Sequence, residues 1–296
     1  MSVPEAPPIR LHQDPALFRE AVTYTAAETG FAPRLIEKDY FCTVLLQHLG
    51  RAGCGLIFKG GTCLAKVYAG FYRLSEDLDF VIPTSVDASR AERSRRAAES
   101  KVAVAKIGEG LPGLHVITAL TGANDSTQYN GAIAYRSLFE DREETIKMEV
   151  GLREPLSTPT VPGEARTLLL DPITGAPMVP ALTVPCLSLM EAMAEKLRAA
   201  LSRREAAIRD FYDVDHAVRR LSLDVLDPEL VRLVSEKLAV TGNDPMDVSS
   251  ARRAALQPQL ESELKAVLRA RDFAEFDLDR TFAIVTEVAA ALGRTP

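Results

Sequence analysis

Residues 57–82 read IFKGGTCLAKVYAGFYRLSEDLDFVI, and the pattern is strand, turn, helix, turn, strand. Leu56–Lys59 is a short apolar run, too short for a helix, closed by Gly60-Gly61. Leu64, Val67, Tyr68 and Phe71 fall at the i, i+3, i+4, i+7 spacing of a helix face, which predicts a helix over 62–71. Leu78, Phe80 and Ile82 then alternate with Asp77, Asp79 and Val81, so a strand follows with both carboxylates on one face.

Gly60 and Gly61 let the backbone approach a ligand closely, since no Cβ intervenes. Thr62 opens a helix, whose unpaired N–H groups favour an anion such as a triphosphate. Asp77 and Asp79 can hold divalent ions side by side, and magnesium is commonly bound by one or two carboxylates with substrate phosphates. Two such ions can activate an attacking hydroxyl and stabilise leaving pyrophosphate. The chemistry that unites these parts is nucleotidyl transfer. Each part alone is weak: D-x-D recurs at Asp213/Asp215 and Asp277/Asp279, as ordinary solvated acids do, and Gly60-Gly61 alone is a plain turn. Their order carries the reading.

With these residues in place, FKGGTCLAKVYAGFYRLSEDLDFVI resembles the first motif of the nucleotidyltransferase-like AbiEii toxin family, within the DNA polymerase β-type superfamily. The resemblance adds Arg73 and Ser75, as R-x-S-x-D-x-D, and Thr62 keeps the hydroxyl of the superfamily's usual Ser. It recurs at 195–213, EKLRAALSRREAAIRDFYD, which is similar to the family's lysine motif and its R-D-x-Y-D motif. It implies Asp77 and Asp79 as Mg2+ ligands, Lys196 on the triphosphate, and Asp210 with Arg209 in the active site. Lys59 or Arg73 would assist with phosphate. A third carboxylate often sits on a neighbouring strand, and Glu149 is the best-placed candidate; its plain alternative is a solvent-facing residue paired with Lys147. The resemblance further implies a toxin with a cognate antitoxin, using an NTP and an RNA acceptor, the tRNA 3′ end in some relatives. Three rivals stay open: a small-molecule nucleotidyltransferase, a protein-modifying one, and a nucleotide-binding protein that acts without turnover.

The 296 residues suffice for one large or two modest domains, and 47% hydrophobic with 26% charged residues is ordinary for a soluble globular chain. No apolar run approaches bilayer length, and MSVPEAPPIRLHQDP lacks the basic start and apolar core of a signal peptide. A cytoplasmic protein with a loose proline-bearing arm is expected. Cys42, Cys54, Cys63 and Cys186 form no C-x-x-C pair and are expected as reduced thiols. A net charge of −6 argues against a whole-surface nucleic-acid binder and leaves room for a local basic groove.

Helices are expected at 14–30, with Asp14 as N-cap and Gly30 as stop, and at 33–50. Glu37-Lys38-Asp39 reads most simply as a solvated helix turn, although the resemblance includes an E-K-D-Y element that would bring Lys38 near the site. Residues 86–109 read as one exposed charged helix, either simply solvated or facing RNA. Gly108-Glu-Gly110-Leu-Pro-Gly113 matches G-x-G-x-x-G, but it follows a helix and precedes a strand, the reverse of a dinucleotide fingerprint. Strands are expected at 114–120, 132–138 and 145–152, and seven prolines between 154 and 186 leave a crossover with a short strand at Thr167–Leu170.

From 187 the pattern is helical, with Leu189, Met193, Leu197 and Leu201 as a core stripe beside Lys196, which is otherwise a surface cation. Asp210 and Asp213 lie one helical turn apart, and acids early in a helix also suit its dipole. Helices follow at 227–239, 251–271 and 276–293; Arg252, Arg253, Arg269, Arg271 and Arg280 either line an RNA channel or are solvated. His12, His48, His115 and His216 show no metal-ligand spacing. The expected architecture is a two-lobed α/β nucleotidyltransferase fold. Residues 1–186 form a mixed-sheet lobe with flanking helices, and 187–296 form a helical lobe that closes the cleft. Ser75, beside the metal carboxylates, is a candidate phosphorylation site through which an antitoxin could switch the enzyme off; otherwise it is a turn residue.

Overall fold

The computed structural model describes residues 7–293. Residues 1–6 of the expected arm lie outside them. The described part of that arm is tied down: Ile9 N donates to Gln47 Oε1 at 2.9 Å, and Gln47 Nε2 donates to the Pro7 carbonyl at 3.0 Å.

The elements follow as α1 (Pro15–Thr29), α2 (Pro33–Ala52), β1 (Ile57–Lys59), α3 (Gly60–Cys63), β2 (Leu78–Val81), α4 (Arg90–Arg96), α5 (Ala98–Ala105), α6 (Ile107–Gly110), β3 (Leu114–Ala123), β4 (Gln128–Arg136), β5 (Glu143–Gly151), β6 (Val161–Ala165) and β7 (Leu182–Cys186). Then come α7 (Leu189–Ser202), α8 (Ile208–Arg220), α9 (Pro228–Ala239), α10 (Ser250–Leu256), α11 (Ala270–Glu275) and α12 (Leu278–Leu292). Asp14 caps α1 by accepting from Leu17 N, and Gly30 stops it in the left-handed region.

The seven strands form one mixed sheet in the order β3-β4-β5-β2-β1-β7-β6. β2 runs antiparallel to β1 and parallel to β5. Its pleat separates two cores. Leu78 and Phe80 join the apolar core of the sheet and α1, α2 and α5, while Val81 joins a second core built mainly from α7, α8, α9 and α12. Ile57, Leu64, Ala65 and Tyr72 also enter the second core, so the helical part packs directly on the face that carries Asp79.

Several elements differ from expectation. The helix over 62–71 is only α3 and a widened π turn, Leu64–Tyr68, because Gly70 and Phe71 both take positive φ and turn the chain back. The charged helix over 86–109 is three short helices. The 121–131 loop is mostly strand: β3 and β4 meet through Asn124, Asp125 and Ser126, all at positive φ. Thr167–Leu170 is not a strand and makes one bridge, Leu170 to Pro177. The strands of the proline-rich stretch are β6 and β7, in which Pro162 lies opposite Pro185. β6 is the sheet edge, where a missing N–H is tolerated. The helix over 251–271 breaks into α10, two irregular turns over 260–267, and α11.

Glu37, Lys38 and Asp39 are all buried, contrary to the solvated reading. Glu37 accepts from Ser137 Oγ and Leu138 N. Lys38 pairs with Glu76 at 2.8 Å. Asp39 takes the buried Lys66 ammonium at 2.6 Å and hydrogen bonds from Thr167 and Leu168. Buried charges persist only when paired this way.

Candidate active site

The site begins as one row across the sheet. Lys59 of β1 stands opposite Asp79 of β2, Asp79 stands beside Glu149 of β5, and Glu149 lies opposite Asn130 of β4. Neighbouring positions in a sheet point to the same face, so strand register alone assembles a cation, two carboxylates and an amide. Burial and the adjacent Glu149 push the Asp79 carboxyl up to about 6, against the opposing pull of Lys59 and Lys196. Asp77 lies half-buried two residues earlier, and its carbonyl accepts from the buried Thr62 hydroxyl.

The glycine turn is fitted to these groups. Gly60 has φ +76°, and a Cβ there would run into the Asp79 carboxylate. A Cβ on Gly61 would collide with the Arg73 guanidinium and come within 3.1 Å of Ser75 Oγ. Arg73 is buried and forked onto Asp213, Nε to Oδ1 at 2.5 Å and Nη2 to Oδ2 at 2.8 Å. Tyr72 donates its hydroxyl to Asp213 Oδ1 at 2.6 Å. Burial works against the charge on Asp213, yet Arg73 and Lys196 hold its carboxyl well below the usual range.

α7 and α8 supply the opposite wall. Lys196 Nζ lies 2.8 Å from both Asp210 Oδ1 and Asp213 Oδ2. Burial opposes its charge, and these two carboxylates raise its pKa. An ammonium has three donors; two are spent here and one is left for the cleft. Arg203 reaches Asp210 Oδ2 at 3.1 Å. Lys59 Nζ donates to Glu195 Oε2 at 2.9 Å. Burial would raise the Glu195 carboxyl, but Lys59, Arg198 and Lys237 bring it down to about 2.

Together these groups line a cleft of about 160 Å³ that includes Lys59, Gly60, Asp79, Glu149, Glu195 and Lys196. Past Glu149 and Arg198 it opens into a groove flanked by Gln128, Arg153, Arg203, Arg204 and Asn243. Among the described residues, no three His, Cys, Asp or Glu side chains converge to hold one metal ion. A magnesium ion here would rest on Asp77, Asp79 and phosphate oxygens. Asp79, crowded by Glu149, is the kind of acid such a cation would relieve.

The family model described as nucleotidyl transferase AbiEii toxin of Type IV toxin–antitoxin systems matches residues 44–287. The chain belongs to the AbiEii nucleotidyltransferase toxin family. It is a nucleotidyltransferase and a toxin of the toxin–antitoxin class. The solved structure titled MenT4, nucleotidyltransferase toxin Rv2826c from Mycobacterium tuberculosis H37Rv, is similar in fold at TM-score 0.59 and 22% identity. The match covers 93% of this chain and 98% of that one. JHP933 from Helicobacter pylori matches at TM-score 0.52 and 16% identity, over 89% of this chain and 94% of that one. No curated protein sequence matches. No helix among the described residues is long and apolar enough to cross a membrane.

Within this AbiEii chain, Lys59, Gly60, Asp79, Glu149, Lys196 and Asp210 meet at the cleft, whereas Asp77 and Gly61 are not among its lining residues. Thr62 and Arg73 lie behind, engaged with the Asp77 carbonyl and with Asp213. Arg209 is not among the cleft-lining residues, and Arg203, at the end of α7, is. Glu195, Asp213 and Tyr72 were not assigned site roles from sequence. The available signal was the recurrence of Glu191, Glu195 and Arg198 on one face of α7, charged residues beside an apolar stripe.

Proposed function

We propose that the cleft binds an NTP and transfers its NMP to a hydroxyl of an RNA acceptor, the 3′ end of a tRNA, so that translation and growth stop until an antitoxin intervenes. The observation that carries this reading is the facing of the Asp79–Glu149 pair by Lys196 over the Gly60 turn.

In this mechanism the acceptor oxygen bonds to the α-phosphorus, the bond from that phosphorus to the bridging oxygen breaks, and pyrophosphate leaves. Glu149, on the sheet beside Asp79, receives the hydroxyl proton. The remaining donor of Lys196 holds the triphosphate, and the Asp210–Asp213 clamp keeps that ammonium charged and aimed. Mg2+, held by Asp77 and Asp79 when bound, supplies charge neutralisation to the triphosphate. The groove with Arg153, Arg203 and Arg204 supports an acceptor bearing phosphates, since guanidinium forks match phosphate geometry.

Ser75 lies against Gly61 and the Arg73 guanidinium. A phosphoryl group there would add about two negative charges against the glycine turn that cradles the triphosphate and beside Arg73, which is the form of antitoxin control this reading accommodates.

The test is incubation of the enzyme with magnesium, each α-labelled NTP in turn and total RNA, resolved on a denaturing gel beside Asp79→Ala. A labelled tRNA-sized band, lost in the variant, is expected. Label confined to protein, or to a small added acceptor, would replace the RNA reading.

A further inference from the structure

A second cleft, of about 610 Å³, lies behind the active site and shares none of the residues named for the catalytic cleft. Asp213 separates the two: it binds Lys196 on one side and the hydroxyl of Tyr72, which lines the second cleft, on the other. Five arginines line this cleft against two acids, Asp272 and Glu275.

The arginines are presented from separate elements. Arg166, in the loop after β6, is fixed through its backbone: its N donates to the Lys66 carbonyl at 3.2 Å, and its carbonyl accepts from the buried Lys66 ammonium at 3.3 Å. Its side chain is exposed and forms no ion pair with the described residues. Arg219 pairs with the buried Asp215 at 3.0 Å and shares Glu275 with Arg220, at 3.4 and 2.8 Å, while Asp272 takes Arg269 and stands 3.7 Å from Arg271, so five arginines meet three carboxylates. Guanidinium groups therefore outnumber the carboxylates available to them. Between them sits a ring stack: Tyr72 lies 4.2 Å from the half-buried His216 and parallel to Tyr212. Burial, helped by Arg219 and Arg220 against the pull of Asp213, lowers the His216 pKa to about 4, so the ring is neutral at physiological pH.

We propose that this cleft holds a stretch of the acceptor RNA remote from its reacting end, with phosphates on Arg166, Arg219, Arg220 and Arg271 and a base against the His216 ring. It rests on the RNA-acceptor reading above. Arginine forks spread across a wide trough around the half-buried His216 ring, which is backed by the buried Tyr72, suit RNA backbone and an unstacked base. The groove past Glu149 and Arg198 faces the reacting end, and this second cleft, on the other side of Asp213, offers a surface for more of the acceptor's body.

The test uses a 5′-fluorescein 12-mer of unstructured RNA, with anisotropy read in EDTA without NTP at two salt concentrations. Arg166→Glu/Arg271→Glu is expected to weaken binding about tenfold and flatten the salt dependence, since phosphate contacts govern both. Arg232→Glu, at an exposed position of α9 that lines neither cleft, is expected to bind like wild type. If the charge reversal fails to fold, Arg166→Gln/Arg271→Gln takes its place, with retained NTP binding as the check. Unchanged RNA affinity in the variant, no binding by wild type, or equal displacement by a poly-aspartate of matched charge would overturn the proposal. Nothing turns over in this assay, so its failure leaves the catalytic reading standing, and a failed transfer assay leaves this result intact.

Discussion

At the residue scale, the site is a set of charges that hold one another in place. Gly60 combines φ +76° with a position that leaves no room for a Cβ beside Asp79. Gly60→Ala is expected to cost about 1–3 kcal/mol of stability from the strained backbone and to lower transfer further by displacing Asp79. Denaturant melts and a labelling assay on the same sample separate the two effects. Glu76, between Ser75 and Asp77, gives a pH prediction. Burial would raise its carboxyl, but Arg34 and Lys38 bring it down to about 2. A depressed acid contributes stability that is present above the unfolded value near 4.5 and lost as pH falls through about 2. Glu76→Gln should therefore cost of order 3 kcal/mol at pH 7 and close to nothing near pH 2, shown by paired melts across that range. Ser75→Asp is expected to suppress NTP binding; full affinity would remove Ser75 as a control point. At this scale the placing of Asp79 on a strand was legible because a two-residue period survives translation into β2, whereas Asp77 falls just before that strand. Glu37-Lys38-Asp39 was not, because three adjacent charges read as solvated unless their partners, Ser137, Glu76 and Lys66, are known.

At the element scale, α7 carries Glu195 and Lys196 to the cleft, and its C-terminal end is fixed by one buried side chain. The Arg252 guanidinium donates to the carbonyls of Ala199, Ala200 and Arg203, between 2.8 and 3.4 Å. This residue, considered for an RNA channel on charge alone, is a helix clamp. Arg252→Ala should destabilise the fold by about 2–4 kcal/mol, since it leaves buried carbonyls unpaired. Its NTP affinity well below the melting temperature should stay within a few-fold of wild type. The helical periodicity that revealed α1, α2, α7 and α8 is a long-range pattern and read well. The proline-bearing β6 and β7 did not, because Pro162 and Pro185 argue locally against strands; Pro162 is accepted on the edge strand β6, and Pro185 lies opposite it in β7, next to the short β1. The π turn after α3 was hidden for a related reason: an i, i+3, i+4 pattern does not register the positive φ of Phe71.

At the scale of the whole molecule, the fold sets two walls face to face, one from strand register and one from α7 and α8. The helical wall followed from periodicity, and the mixed sheet and the meeting of Asp79 with Lys196 followed from the family resemblance. The Tyr72–Arg73–Asp213 network did not, since it joins residues 140 and more positions apart whose pairing only packing decides. Lys196→Ala should abolish toxicity in cells and leave Asp210 and Asp213 as facing carboxylates, with growth curves after induction as the readout.

In the proposed reaction this cleft joins an RNA end to the α-phosphate of the NTP and releases pyrophosphate. The direct measurement is pyrophosphate release and 3′-end label followed together on purified tRNA, for wild type and Asp79→Asn. The prediction is one pyrophosphate per labelled end in wild type, with both falling by about three orders of magnitude in the variant. Label without stoichiometric pyrophosphate, or undiminished transfer by Asp79→Asn, would contradict it.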